Sequence, residues 1–164
     1  MPKLLILVRH AKSDWSLSGQ KDFDRTLNER GHRDAPRMGK VLFDKNISID
    51  AFISSPAERA RLTARYFVEQ FKVEEDSIIM NENIYEASAR VWMNEVNDLD
   101  NNLNTVVIFG HNPGISYFSE YMTKEELGEI PTCAIIGIAF EVDDWKLISE
   151  NMGKLVFNEF PEKY

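Results

Sequence analysis

The chain holds one cysteine, Cys133, among its 164 residues. No intrachain disulfide can form, and no cysteine cluster could bind zinc. Long hydrophobic runs are also missing. The apolar stretch Leu4 to Val8 is cut off abruptly by Arg9 and His10, far short of the roughly 20 residues that span a bilayer and too short for the core of a secretory signal. These absences lead to the expectation of a cytoplasmic protein with no membrane partner. Positive charge is in deficit, with 19 Lys and Arg against 27 Asp and Glu and a formal net charge of -8. Such a surface repels nucleic acid and anionic membranes at long range, so neither is an expected partner. Any phosphate must be captured by positive charge gathered locally. No low-complexity tract interrupts a composition of 43% hydrophobic and 28% charged residues, which is that of an ordinary globular chain. The length fits one compact domain, 1–164, with a substantial core.

Three short apolar runs, Leu4 to Val8, Asp50 to Ser54 and Thr105 to Phe109, have the pattern of strands covered on both faces. Helical spacing fills the intervals. Ala60, Ala64, Phe67 and Phe71 would line one buried helix face, begun by Ser55 as cap, Pro56 at the first position and Glu58 completing a capping box. An earlier helix is expected from about Asn28 towards Leu42, kinked or started late because of Pro36. Val91 to Leu99 reads as another, and a further helix should begin after Pro113 and Gly114 and run through Tyr121. Ala134 to Val142 and Trp145 to Ser149 read as two strands joined by a turn at Asp143-Asp144. The expected fold is a three-layer α/β/α sandwich, with a mostly parallel sheet and an antiparallel edge.

Each apolar strand runs directly into polar residues at its carboxyl end: Arg9-His10, Ser55 to Arg59, and Gly110-His111-Asn112. Ligand sites of open α/β sheets form beyond those ends, so two arginines and two histidines should converge. Arginine offers a planar fork of donors for phosphate oxygens, and the start of the Ser55-Pro56 helix would add free N–H groups. A neutral histidine can attack phosphorus and carry it covalently, while a protonated one can stabilise the transferring group. Zinc would want a third ligand that cannot be assigned, and no cofactor is expected. Glu86, a short loop after the strand-like Ser77 to Met80, is the candidate general acid; the alternative is an ordinary surface glutamate. Lys12 and His32 read as surface residues, and Arg61 points about 200° round the helix from Arg59. Trp15, Trp92 and Trp145 read as packing residues and Cys133 as an inert small hydrophobe.

These residues carry a family resemblance. Leu7 to Ser13, with Arg9-His10-Ala11, resembles the Arg-His-Gly signature of the histidine phosphatase superfamily, with alanine where glycine is commonest. Ser54 to Thr63 and Gly110 to Gly114 resemble its second and third motifs, in the expected order. The opening Arg-His-Ala-Lys-Ser-Asp-Trp, the segment Ile84 to Ser88 and the short chain are most similar to the SixA-type protein histidine phosphatases. The resemblance implies a phosphoglycerate mutase-like fold with His10 as nucleophile and Arg9, Arg59 and His111 completing the phosphate pocket. Ser13 and Asn112 would contact substrate at its edge. Ser16 stands where phosphoglycerate mutases carry asparagine, which counts against mutase activity.

The expected activity is metal-independent removal of phosphate from phosphohistidine on a protein, such as a histidine phosphotransfer domain. Only 18 residues separate Glu86 from Thr105, too few for a large cap over a small metabolite. A phosphatase of a small phosphorylated metabolite is the second reading. A phosphate-binding module with little turnover is the third, and it would have no need of a nucleophile.

Overall fold

A computed structural model describes residues 2–164. Ten regular elements alternate along the chain: β1 (Lys3–Arg9), α1 (Glu29–Phe43), β2 (Ala51–Ser54), α2 (Glu58–Gln70), β3 (Ile79–Met80), α3 (Ala89–Asn97), β4 (Thr105–Gly110), α4 (Gly114–Thr123), β5 (Ile135–Phe140) and β6 (Gly153–Glu159). The strands form one sheet in the order β3-β2-β4-β1-β5-β6. The pairs from β3 through β1 are parallel, and β5 is antiparallel to both β1 and β6. No helix among the described residues is long and apolar enough to cross a membrane.

The unbroken apolar runs follow from burial on two faces. Along β1, Leu5 and Leu7 pack with Trp92 of α3 and Phe118 of α4, while Ile6 and Val8 pack with Met38 of α1 and Phe67 of α2. Period-two alternation thus hands successive side chains to opposite helical layers. The expected sandwich is the observed one.

Several local expectations need correction. The helix around Pro36 does not start late: α1 runs unbroken from Glu29, and Asn28 caps it by accepting from the Gly31 N–H at 2.9 Å. The capping box at α2 does not form, because α2 begins at Glu58 behind Ala57 and Glu58 pairs with Arg61. Ser55 instead bonds His111. The second terminal strand is not Trp145 to Ser149. Those residues include a 3-10 turn, Trp145–Leu147, capped by Asp144, and the pairing strand is β6, further along the chain. Trp145 and Trp92 are fully buried, Trp92 against Gly110 of β4, but Trp15 is 71% exposed and packs no core.

Candidate active site

The register of β1 against β4 sets Arg9 beside Gly110 at the carboxyl ends of the two strands. Both chains leave the sheet there, and His10 and His111 emerge side by side with ring centroids 5.3 Å apart. The His10 N–H donates to the Gly110 carbonyl at 3.1 Å, and the Cys133 N–H is within 3.1 Å of the carbonyls of both Arg9 and His10. Ala11 donates its N–H to Thr63 Oγ1 at 2.9 Å, and that hydroxyl donates to the Arg59 carbonyl at 2.8 Å. Backbone and one threonine therefore lock the end of β1 to the first turn of α2. Gly110 is obligatory, since a Cβ there would lie 2.4 Å from the Trp92 ring.

The His10 ring is held in one tautomer. Its Nδ1 lies 2.8 Å from the Ala11 carbonyl, which can only accept, so Nδ1 carries the hydrogen and Nε2 keeps its lone pair. Burial, joined by His111, Arg59 and Arg9, pushes its pKa well below the ordinary value of 6.5, against the opposing Ala11 bond. The ring is neutral near pH 7.

His111 differs from expectation in its charge. Burial first, then Arg59, lowers its pKa to about 3, so the free pocket holds it neutral. Its Nε2 lies 2.8 Å from Ser55 Oγ, and Ser55 Oγ itself accepts from the Ala57 N–H at 3.2 Å. The hydroxyl hydrogen is therefore free to donate to Nε2, which leaves the ring hydrogen on Nδ1. That tautomer offers a hydrogen-bond donor without a proton being added.

Among the described residues, His111 Nδ1, Arg9 Nε and Arg59 Nε are buried and lack any partner. Three of the other guanidinium nitrogens are engaged elsewhere. Arg9 Nη1 donates to the Ile130 carbonyl at 2.7 Å. Arg59 Nη1 donates to the Asp22 carbonyl at 2.7 Å and Nη2 to Asp22 Oδ2 at 3.0 Å. The three residues that carry these nitrogens line one opening of about 340 Å³, together with His10 and Glu86. Buried donors left without acceptors are costly in an empty site and are satisfied by an anion.

Ser13, Asn112 and Lys12 also border this cavity. Ser13 is 5% exposed, and its hydroxyl accepts from Arg25 Nε at 3.2 Å. Asn112 donates to the Ile130 carbonyl at 3.1 Å and accepts from Ser116 Oγ at 3.0 Å, so its amide is committed to holding the start of α4. Glu86 is exposed and has φ 52, a left-handed conformation that costs a residue with a Cβ about 1–3 kcal/mol. Its loop is pressed against α4, where a Cβ on Gly114 would meet the Ala87 carbonyl at 2.0 Å. Residues Ser55 to Glu58 do not border the cavity, so the expected contribution from the helix start falls away and Arg59 alone reaches in from α2. Arg61 turns outward to Glu58 and Glu75, and His32 lies exposed against Tyr66.

Sequence reasoning missed Asp22, Arg25 and Trp15. The stretch Lys21 to Arg25 has four charges in five residues and carries no motif, yet Asp22 and Arg25 line the cavity. The Arg25 guanidinium stacks on the Trp15 ring at 3.7 Å. No group of three or more His, Cys, Asp or Glu able to hold a metal occurs among the described residues.

Residues 5–105 match the model of the histidine phosphatase superfamily (branch 1), and the chain belongs to that superfamily. Over 74 residues it is 38% identical to the 2,3-bisphosphoglycerate-dependent phosphoglycerate mutase of Bartonella tribocorum, covering 43% of this chain and 35% of the mutase. The chain spans only 34–42% of the length of the phosphoglycerate mutases it matches. Its whole length is similar to a structure from Agrobacterium tumefaciens, provisionally called the phosphohistidine phosphatase SixA. That match has TM-score 0.82 and 25% identity, over 98% of this chain and 99% of the other. The protein histidine phosphatase SixA complexed with tungstate shares the fold, with TM-score 0.82, 17% identity and 98% coverage of both chains.

Proposed function

We propose that this protein is a metal-independent phosphatase that removes phosphate from phosphohistidine on a protein. The observation that carries the reading is the gathering of Arg9, Arg59 and His111, each with a buried nitrogen that lacks a partner, in one cavity with a neutral His10 whose Nε2 lone pair is free. Their positive charge and hydrogen bonds would hold the phosphoryl oxygens as charge builds in the transition state. His10 Nε2 attacks phosphorus while the bond to the leaving group breaks. Water then attacks the phosphohistidine, the P–Nε2 bond breaks, and inorganic phosphate departs. Glu86, which lines the cavity, would give a proton to the leaving group and take one from the water. A phosphate dianion against His111 would raise the pKa of that ring, so protonation can accompany binding.

Two things support a protein substrate: the likeness to SixA structures over 98% of the chain, and the slight cover over the site. Between Glu86 and β4 the chain forms α3, whose Trp92 and Val96 are buried in the core. Only Glu86 from that connection reaches the cavity wall. The mutase relatives keep phosphatase action on a small phosphorylated metabolite as the second reading. The cytoplasm, where a signalling relay would present a phosphorylated histidine phosphotransfer domain, is the proposed location.

The test is turnover of a phosphohistidine protein beside a panel of alkyl and aryl phosphates, with and without exhaustive chelation. Preference for phosphohistidine, unaffected by chelator, is expected. A strong preference for small alkyl esters would move the assignment to the second reading, and activity restored by one divalent ion would remove the metal-independent mechanism.

A further inference from the structure

Asp22 is a carboxylate at the wall of a cavity built to hold an anion, and that position asks for an explanation. Its oxygens face donors rather than the opening. Oδ1 takes Arg25 Nη2 at 2.7 Å, and Oδ2 takes both Arg59 Nη2 at 3.0 Å and the Tyr85 hydroxyl at 2.6 Å. The Asp22 carbonyl accepts a further bond from Arg59 Nη1. Burial alone would raise the carboxyl pKa, but these bonds outweigh it and hold the group below the usual carboxylate range. The same bonds and burial push Tyr85 up to about 12, so its hydroxyl remains a donor.

Three side chains, Arg25, Arg59 and Tyr85, meet at this carboxylate. Arg59 comes from α2; Arg25 brings Ser13 Oγ and the Trp15 ring from the loop after β1; Tyr85 adjoins Glu86. Both outer nitrogens of Arg59 are fixed by Asp22, and this turns the third, Nε, into the orphan donor described above. Tyr85 also lies edge-on to the His111 ring at 5.5 Å, and Glu86 immediately after it is in a left-handed conformation that needs an anchor.

We infer that Asp22 is a positioning residue that ties the phosphate clamp at Arg59 to the loop carrying Glu86, with Tyr85 as the link. It acts through two separable branches. The Arg59 branch sets affinity for the phosphoryl group. The Tyr85 branch sets delivery of a proton to poor leaving groups. The inference rests on the phosphatase reading for its second branch only.

The experiment compares wild type, Asp22→Ala, Asp22→Asn and Tyr85→Phe by vanadate binding and by turnover of an alkyl phosphate and a phosphohistidine protein. Asp22→Ala should weaken vanadate binding about 10- to 100-fold, the worth of the charge-assisted bonds that fix Arg59. It should also lower the ratio of alkyl to phosphohistidine turnover. Asp22→Asn, which keeps one acceptor oxygen, should fall between it and wild type. Tyr85→Phe removes a single hydroxyl; it should lower the same ratio while vanadate binding stays within about twofold. Wild-type vanadate affinity in Asp22→Ala would overturn the inference, as would Tyr85→Phe weakening vanadate as much as Asp22→Ala does. Wild type that binds vanadate and turns over neither substrate would instead overturn the phosphatase reading, leaving the Arg59 branch still judged by vanadate.

Discussion

Asp34 on α1 and Asp22 at the cavity rim each gather arginines, but with opposite burial. The Asp34 carboxylate is 1% exposed, and Arg30, Arg33 and Arg37 approach it at 3.4–3.6 Å with side chains 41–67% exposed. Excess positive charge there passes to water and to Glu162, which pairs with Arg30 at 2.9 Å. At Asp22 the carboxylate is 38% exposed, while the side chains of Arg59 and Arg25 are only 5% and 11% exposed. Arg9, at 19%, adds a further cation to the same wall. A cation withdrawn from water is costly unless matched by negative charge. The Asp34 group is matched by solvent. The Asp22 group keeps cationic donors in reserve, and that surplus is what a phosphate would complete.

The most severe way to test the difference is to leave the clamp intact and remove the group it serves. His10→Ala should lose the acid-labile phosphoenzyme and reduce turnover by about 10³-fold or more, while vanadate still binds Arg9, Arg59 and His111. Rapid mixing with labelled substrate followed by non-acidic trapping checks both. A variant with near-native rates would show that the donors serve some other chemistry.

Next in size is the clamp itself. Arg59→Ala should slow turnover by about 10²- to 10³-fold, as loss of a transition-state donor does, with vanadate affinity falling in parallel. If vanadate affinity is kept, the orphan Nε is not a phosphate contact.

Much of this contrast can be read in the sequence, and the parts that cannot have physical causes. β1, β2 and β4 announce themselves because strands buried on both faces are apolar throughout, and the polar residues that end them mark the carboxyl edge. β6 is silent because it lies at the sheet edge, with exposed Lys154, Val156 and only partly buried neighbours, so neither a continuous run nor a clean alternation appears. Trp145 to Ser149 imitates a strand because Trp145 and Ile148 are buried, although the backbone between them is a 3-10 turn. At Ser55 the local pattern is sound, but His111, 56 residues away, takes the hydroxyl. Asp22 and Arg25 give no signal because charge composition alone says nothing about depth. Asp34 makes the same point: it lies among Arg30, His32 and Arg33 in sequence, yet its carboxylate is 1% exposed.

A smaller effect distinguishes the two regions by pH. His111 in the folded protein has a pKa of about 3 against 6.5 when unfolded. Below pH 6.5 the unfolded chain takes up a proton that the folded one refuses, so stability is lost as pH falls from 6.5 towards 3. His10 acts with the same sign. His111→Asn should flatten that decline, measured by thermal unfolding across pH 7 to 4. An unchanged slope would mean that the ring already binds a proton in the fold.

The smallest effect is expected at the solvent-matched cluster. Arg33 Nε lies 3.6 Å from Asp34 Oδ1, beyond a good hydrogen bond, and its side chain is 67% exposed. Arg30 and Arg37 remain beside the carboxylate when Arg33 is removed. Arg33→Ala should therefore change stability by about 0–1 kcal/mol, the range of exposed ion pairs, and leave vanadate affinity and turnover alone. Urea unfolding with the same vanadate titration measures both. A loss of about 3 kcal/mol, the size seen when a buried pair is broken, would mean that Asp34 depends on Arg33 as a buried partner. The contrast with Asp22 would then lie in the free donors alone, and no longer in which side of each pair faces water.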